Sequence, residues 1–532
     1  MISLLDYGAG NVRSVRNAIT RLGFELTEIE RPEDILRAQR LIFPGVGAFG
    51  TAMHCLHQRG YIEPLRAYLA AGRPFLGICL GLQTLFEGSE ESPGVEGLGL
   101  IPGQVRRFDD QARSVPHMGW NGIRLCKDSP LLDEQADAKM YFVHSYYAAA
   151  TADNRDWVLA LTDYGQPFIS AVQHQAVTAL QFHPEKSAAA GLEIFKRFLA
   201  ADLSTAPARR HNKPPPAPQT QPAKRIIACL DVRTNDQGDL VVTKGDQYDV
   251  RERGVVRNLG KPVDLAQRYY QEGADEIAFL NITAFRDFPL ADQPMLEVLR
   301  RASEAIFVPL TIGGGIRAFT DNEGQVYSAL DVAAEYFRSG ADKISIGSEA
   351  VLIAEQYRAR GGTGDGSSAI EQIARVYGNQ AVVISVDPRR VYVDNPKDTT
   401  HHCIHTEQPG PNGETHCWFQ CTIRGGREGR DLDVIELVAA CQALGAGEIL
   451  LNSIDRDGSG HGFDLELIQQ VRQAVTIPVI ASSGAGTPEH FTALFAAVDV
   501  EAALAAGIFH RREVPIRQVK SALRAADIET RD

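Results

Sequence analysis

Four strand-and-loop segments in the C-terminal part of the chain occur twice, in the same order. IIACLDV (226–232) is matched by AVVISVDP (381–388), and IAFLNITAF (277–285) by ILLNSIDRDG (449–458). VPLTIGGGI (308–316) is matched by IPVIASSGAG (477–486), and ADKISIGS (341–348) by VEAALAAG (500–507). Each segment is a short apolar run that ends in a carboxylate, an amide or glycines. Runs apolar on both faces suit parallel strands, and parallel strands need crossover helices between them. Four units in duplicate make eight strands, so the segment is predicted to close as a (β/α)8 TIM barrel of two halves, with its site at the C-terminal strand ends. A doubly wound open sheet is the alternative, but it gives no reason for a fourfold unit to recur in order.

With 532 residues the chain has room for a second large domain. The boundary is the run rich in Pro, Gln, Ala and basic residues at 204–223, which offers nothing to bury and reads as a semi-extended linker. It separates a domain at 1–203 from the barrel at 224–532. The first domain alternates apolar runs with amphipathic stretches, the rhythm of an α/β sheet. Helices are expected over Val12–Leu22, from Gln83 onward, and over Gly191–Ala201. A net charge of −13 argues against nucleic acid or an anionic membrane as partner. Eight scattered cysteines fit a reducing compartment, and with no leader-like or membrane-spanning run the cytosol is expected.

GICLG (77–81) follows the apolar run PFL and is expected to precede a helix. A nucleophile between glycines at such a junction forms an elbow, in which a tight turn lifts the side chain and small neighbours admit substrate. Cys79 at its centre would also lie at a helix N-terminus, which favours a thiolate. Alone, the motif also fits a buried structural cysteine. QFHPEKS (181–187) offers His183 as base toward Cys79, with Glu185 to orient the imidazole. PGVGAFG (44–50) places Gly45 and Gly47 where backbone N–H groups can meet a developing oxyanion. The three pieces in this order favour the catalytic reading.

With PHMGWN (116–121) and YFVHSYY (141–147), these motifs resemble the class I glutamine amidotransferases over the whole domain. Specifically, they are similar to the glutaminase of the imidazole glycerol phosphate synthase family. The resemblance implies Cys79 as nucleophile, His183 as base and Glu185 as orienter, and places Gln83 near bound glutamine.

In the barrel, Asp231 and Asp387 end the first strand of each half and should face each other across the mouth. Two carboxylates over one pocket can divide acid and base roles if their environments separate their pKa values. GGGI and SSGAG, with GSEA (347–350) and AAGIF (505–509), put backbone N–H groups at two symmetric places, which predicts a substrate with a phosphate at each end. CLDV, VVTKGDQ, TIGGGIR, ISVDPRR and GAGEILLNSIDRDGSGHG resemble the cyclase of the same synthase family. That resemblance implies Asp231 and Asp387 as catalytic acid and base. It implies Lys244, Gly315 and Ser348 at one phosphate and Gly458, Gly484 and Gly507 at the other, with Asn452 and Asp457 positioning the substrate. Asn281 stands where many bacterial cyclases carry Asp, so no acid–base role is assigned to it. Both halves in one polypeptide resemble the fused form of fungi and plants.

Arg225, Glu276, Lys343 and Glu448 sit at or near the starts of alternate strands, where their charges could form a ring; the resemblance implies a gate for ammonia there. It further implies glutamine and a doubly phosphorylated ribotide as substrates, no redox cofactor or metal, and two domains docked within a monomer. The segment 401–421 holds His401, His402, Cys403, His405, His416, Cys417 and Cys421. Its spacing matches no standard zinc finger, and a solvated β-hairpin is expected. RGGTGDGSS (360–368) reads as a flexible loop. Three rivals differ in what they require: strand-end lysines for a pyridoxal phosphate-forming barrel, no glutaminase for a phosphosugar isomerase, and no catalytic groups for a metabolite-binding protein.

Overall fold

A computed structural model describes residues 2–8, 12–135, 137–200, 220–234, 240–243, 251–252, 255–256, 259–282, 290 and 293–532. Lys244 and most of the 204–223 segment lie outside them. In the first domain, strands β1 (Ile2–Leu4), β2 (Leu26–Glu28), β3 (Arg40–Gly45) and β4 (Phe75–Cys79) are followed by β5 (Arg124–Leu125), β6 (Val158–Tyr164), β7 (Gln166–His174) and β8 (Val177–Leu180). They form one sheet in the order β2-β1-β3-β4-β8-β7-β6-β5. The pairs β3–β4 and β4–β8 are parallel and β7–β8 is antiparallel. The strand that ends in Cys79 is therefore central, with the segment carrying His183 beside it.

Two helices differ from expectation. None starts at Gln83; a single turn, Leu80–Gln83, ends there, and Phe86–Ser89 is a strand paired with Ile101–Arg107. Leu85 and Phe86 are drawn into the core, and Gly88 and Pro93 leave no helical run beyond them. The last helix, Ala188–Ala200, begins three residues earlier than Gly191. Gly191 lies inside it because a Cβ there would stand 1.7 Å from the Pro184 carbonyl oxygen. That close approach seats the turn bearing His183 and Glu185.

The barrel strands are β9 (Arg225–Thr234), β10 (Glu276–Asn281), β11 (Leu310–Gly313), β12 (Lys343–Ile346), β13 (Val382–Val386), β14 (Glu448–Asn452), β15 (Val479–Ser482) and β16 (Ala502–Ala505). All neighbours pair in parallel, and β9 pairs with β16 to close the ring. Side chains alternate between the two faces. Ile226, Ala228 and Leu230 of β9 pack outward into the large helix-covered core, while Ile227 and Cys229 join a separate inner cluster. Four inward charges fill the N-terminal end, an apolar cluster of eight buried residues the middle, and polar groups the C-terminal mouth.

The 401–421 segment is a hairpin, Ile404–His405 against His416–Ile423, within a small antiparallel sheet that includes Pro388–Val393 and Glu428–Asp433. It is not solvated throughout. Cys417, Phe419 and Cys421 are buried, and His401 stacks on Trp418 with ring centroids 3.8 Å apart. The cysteines and histidines do not converge. Among the described residues, the one cluster with metal-like spacing is His401, Asp433 and Glu436, and Asp433 and Glu436 form the capping box of helix Val434–Ala443. The 360–368 segment is a loop that ends in another capping box, Ser368 with Glu371.

The first domain docks on the N-terminal face of the barrel. Val115 N–H donates to Thr476 O at 2.9 Å, and Ala188 N–H to Phe307 O at 2.9 Å. Trp120 Nε1 donates to Asp275 O at 3.1 Å under the Arg531 guanidinium, which lies 4.2 Å from the indole centroid. Lys186 pairs with Asp342 at 2.7 Å.

Candidate active sites

Cys79 adopts φ +53°, a conformation that costs a non-glycine residue of order 1–3 kcal/mol and is kept where the surroundings enforce it. They enforce it here through close backbone contact: a Cβ on Gly81 would lie 2.2 Å from Phe43 O, and one on Gly77 2.7 Å from Gly81 O. His183 Nδ1 and Glu185 Oε1 are 2.7 Å apart with both side chains buried. Burial works against a charged His183. The Glu185 carboxylate and the Cys79 sulfur outweigh it and hold the imidazole well above its usual range.

The surrounding cleft, about 60 Å³, is lined from both domains: Gly47, Cys79, Gln83 and His183 on one side, Asp342, Lys343 and Gln380 on the other. Gly47, with φ +107°, touches the barrel, where an added Cβ would be 2.9 Å from Val376 O. Gly45 does not line the cleft. It lets the turn approach the elbow, since its Cβ would stand 2.6 Å from that of Leu80. Buried Gln83 donates to Tyr146 O (2.9 Å) and Gln181 Oε1 (3.1 Å). The helix after Cys79 is a single turn, so little macrodipole reaches the sulfur.

Lys343, at the far wall of that cleft, belongs to a closed ring. Arg225 reaches Glu276 at 2.9 Å and Glu448 at 2.5 Å, and Lys343 reaches Glu276 at 2.7 Å and Glu448 at 2.6 Å. The four are held on the first, second, fourth and sixth strands rather than on alternate ones. None is more than 1 % exposed. Burial opposes the charge on Glu448, yet Arg225 and Lys343 hold its carboxyl below the usual range. Inside the ring, Ile227, Ala278, Val383, Leu450, Ile480 and Ala502 fill the lumen.

Asp231 and Asp387 face a mouth cavity of about 1140 Å³ with Gly315, Ser348, Asn452, Asp457, Gly458, Gly484 and Gly507. Asp231 stands on the first strand and Asp387 just past the end of the fifth, on opposite sides of the barrel. Burial raises the Asp387 carboxyl, although Asn452 Nδ2 donates to it at 2.9 Å. Gly315 and Gly484 have φ +78° and +93°, and a Cβ on Gly484 would meet Gly462 O at 2.1 Å.

Residues 3–201 match the model of the class-I glutamine amidotransferases, and residues 225–515 that of the histidine biosynthesis proteins. Over its whole length the chain is 58 % identical to the chloroplastic imidazole glycerol phosphate synthase hisHF of Arabidopsis thaliana, covering 89 % of that protein. It is 53 % identical to hisHF of Schizosaccharomyces pombe, over all of both chains. Against hisHF of Emericella nidulans the identity is 54 %, over 98 % of this chain and 97 % of that one. The chain belongs to the imidazole glycerol phosphate synthase hisHF family.

Several residues of this hisHF-family site escaped the sequence reading. Gln181 donates to Cys79 Sγ at 3.5 Å. A signal was present, because in an extended segment Gln181 and His183 share a face. Glu91, whose carboxyl burial pushes up, lines the cleft and accepts from Phe49 N–H at 2.7 Å. At the mouth, Arg424 N–H donates to Ser348 Oγ at 3.0 Å, and Arg317, Arg427 and Arg511 join the lining. Arg317 ends the TIGGGIR motif, and Arg424 and Arg427 bracket the turn RGGR.

Proposed function

We propose that this hisHF-family enzyme hydrolyses glutamine at Cys79 and delivers the ammonia through the barrel interior to a ribotide held at the mouth. The Cys79 sulfur attacks the side-chain amide carbon, and His183, held by Glu185, gives its proton to the departing nitrogen. A thioester and ammonia result; water then releases glutamate and restores the thiol. Glutamine enters from a cavity of about 290 Å³ that shares Glu91, Ser145, Tyr146 and Gln380 with the cleft. Half-buried Glu91 suits the α-ammonium of that substrate.

The observation that carries this reading is the alignment of the two sites on one interior: the thiol cleft ends at Lys343, and the lumen beyond the ring opens between Asp231 and Asp387. The apolar lumen favours neutral ammonia, because an unpaired ammonium cannot be desolvated cheaply. The ring must open for passage, and Lys343 lies on the cleft side. At the mouth, ammonia joins phosphoribulosyl-formimino-aminoimidazole-carboxamide ribotide. The products are imidazole glycerol phosphate and aminoimidazole carboxamide ribotide, with Asp231 and Asp387 exchanging protons. Gly315 and Ser348 would hold one phosphate, and Gly458, Gly484 and Gly507 the other, with Asn452 and Asp457 between them. Lys244 is assigned to the first phosphate on resemblance alone. The same reading takes the enzyme as a cytosolic monomer; eight unpaired cysteines and docking within one chain support it.

Cys79→Ala tests the division of labour. Glutamine-dependent ribotide turnover should vanish while ammonium at alkaline pH still supports cyclisation. Loss of both in a folded variant would defeat the reading.

A further inference from the structure

We infer that Gln181 is a positioning residue for the Cys79 thiolate, and that a chain of buried hydrogen bonds fixes the direction in which its amide points. The inference rests on the reading of Cys79 as nucleophile.

The direction can be derived from an acceptor that has no alternative. Tyr146 O can only accept. Gln83 stands 2.9 Å from it and 3.1 Å from Gln181, so the Gln83 NH₂ group must face both. The Gln181 atom that receives Gln83 is therefore Oε1. The other end of the Gln181 amide, its NH₂, must then face Cys79 Sγ at 3.5 Å. The same carbonyl is braced from behind: His144 Nδ1 lies 2.7 Å from Tyr146 O, so Nδ1 carries the proton and Nε2 is left as acceptor. His117 Nδ1 lies 3.3 Å from that Nε2, and Asn121 Nδ2 lies 3.4 Å from His117 Nε2 and 3.1 Å from Asp163 O. Burial holds both imidazoles well below their usual range, His144 at about 3. They stay neutral, and the tautomers do not reverse near neutral pH.

An N–H aimed at sulfur favours the anionic form, because a hydrogen bond to the charged state stabilises it more than one to the neutral state. The helix end contributes little here. The other titratable groups around the sulfur are His183, Glu185 and Lys186 from the following turn, Tyr7 from the loop after β1, Glu91, Tyr141, His144 and Tyr146, and, across the cleft on the barrel, Asp342, Lys343 and Tyr377. Of these, His183 is the cation adjacent to Cys79. Gln181 supplies a second, uncharged donor that titration cannot remove.

The test compares Gln181→Glu with Gln181→Leu in the full chain. Glutamate keeps the size and the acceptor for Gln83 but puts an oxygen where the N–H was. The Glu carboxylate opposes the thiolate by its charge in either case, so the Leu variant decides. If Gln181 only packs or braces Gln83, the Leu variant keeps the parent's Cys79 inflection; if it donates to the sulfur, that inflection moves upward. Alkylation of Cys79 by iodoacetamide, followed by peptide mass spectrometry across pH, should show its inflection displaced upward by about one pH unit in Leu and further in Glu. In both variants kcat for glutamine should fall about tenfold near neutrality and recover at alkaline pH. Ammonia-dependent cyclisation should be unchanged, which shows that the chain is folded. An unshifted inflection in Gln181→Leu would overturn the inference. Glutaminase activity surviving in Cys79→Ala would instead overturn the reading beneath it.

Discussion

Lys343→Met removes one cation from a ring of two cations and two anions, none of which reaches water. Lys343 Nζ holds Glu276 at 2.7 Å and Glu448 at 2.6 Å, and after its loss both carboxylates must share Arg225. Stranding a buried charge in this way costs about 3–5 kcal/mol. With urea m-values of a few kcal/mol per molar, the unfolding midpoint should fall by roughly 1–2 M. The double variant Lys343→Met/Glu448→Gln leaves one cation and one anion, and about half or more of the lost stability should return. Function should not return with it. Lys343 Nζ also lies 3.5 Å from Met118 Sδ across the domain interface, so its removal opens the joint where ammonia must turn inward. The assay measures glutamate and imidazole product together in one reaction with glutamine and the ribotide. Both variants should release clearly more than one glutamate per product. A single variant within about 1 kcal/mol of the parent, or a ratio held at one, would refute the reasoning.

Asp387→Asn should lower cyclisation about 10²–10⁴-fold with either nitrogen source. The folded state raises the Asp387 carboxyl, so its ionised form at neutral pH is a burden lost in Asn; urea unfolding at pH 7 should show the variant at least as stable as the parent. At pH well below the unfolded carboxyl pKa, where Asp387 is neutral in both states, that advantage should disappear. Gly47→Ala combines a positive φ with a contact against Val376 O, and should slow ribotide-dependent glutamate release while sparing ammonia-dependent turnover. Glutamate release without ribotide should be slow, because the turn that carries Gly47 is pinned at its end by Phe49 N–H on Glu91 and Gly50 N–H on Ser92, at 2.7 and 3.0 Å, and must be released to present an N–H to the oxyanion. Equal glutamate release with and without ribotide would count against it.

The barrel was legible because a repeat is a long-range fact written locally: each half states where the other's strands and turns lie. The ring residues were legible too, since each opens an apolar strand, but their spacing around the barrel depends on which strands carry an inward charge at that level. Thr311, on the third strand, is inward at the same level and donates to Glu276 at 2.6 Å. The helix expected from Gln83 failed because Leu85 and Phe86 are claimed by a distant strand, which outweighs local propensity. Gln181 was marked only by sharing a face with His183, and Glu91 was invisible, for a related reason. Their partners, Cys79 and Phe49, lie 102 and 42 residues away, and a single Gln or Glu gives no period to read. The histidines and cysteines of 401–421 misled in the opposite sense, being dense in sequence yet spread over a hairpin by strand geometry.

Glutamine labelled with ¹⁵N at the side-chain amide, supplied with the ribotide and an excess of unlabelled ammonium near neutral pH, probes internal delivery directly. Mass spectrometry of the imidazole product then reports which nitrogen arrived. Delivery through the ring and lumen predicts that the product carries the label almost completely, whatever the ammonium concentration below that which supports turnover alone. Label diluted in proportion to bulk ammonium would show that the nitrogen passes through solvent, and would contradict the account.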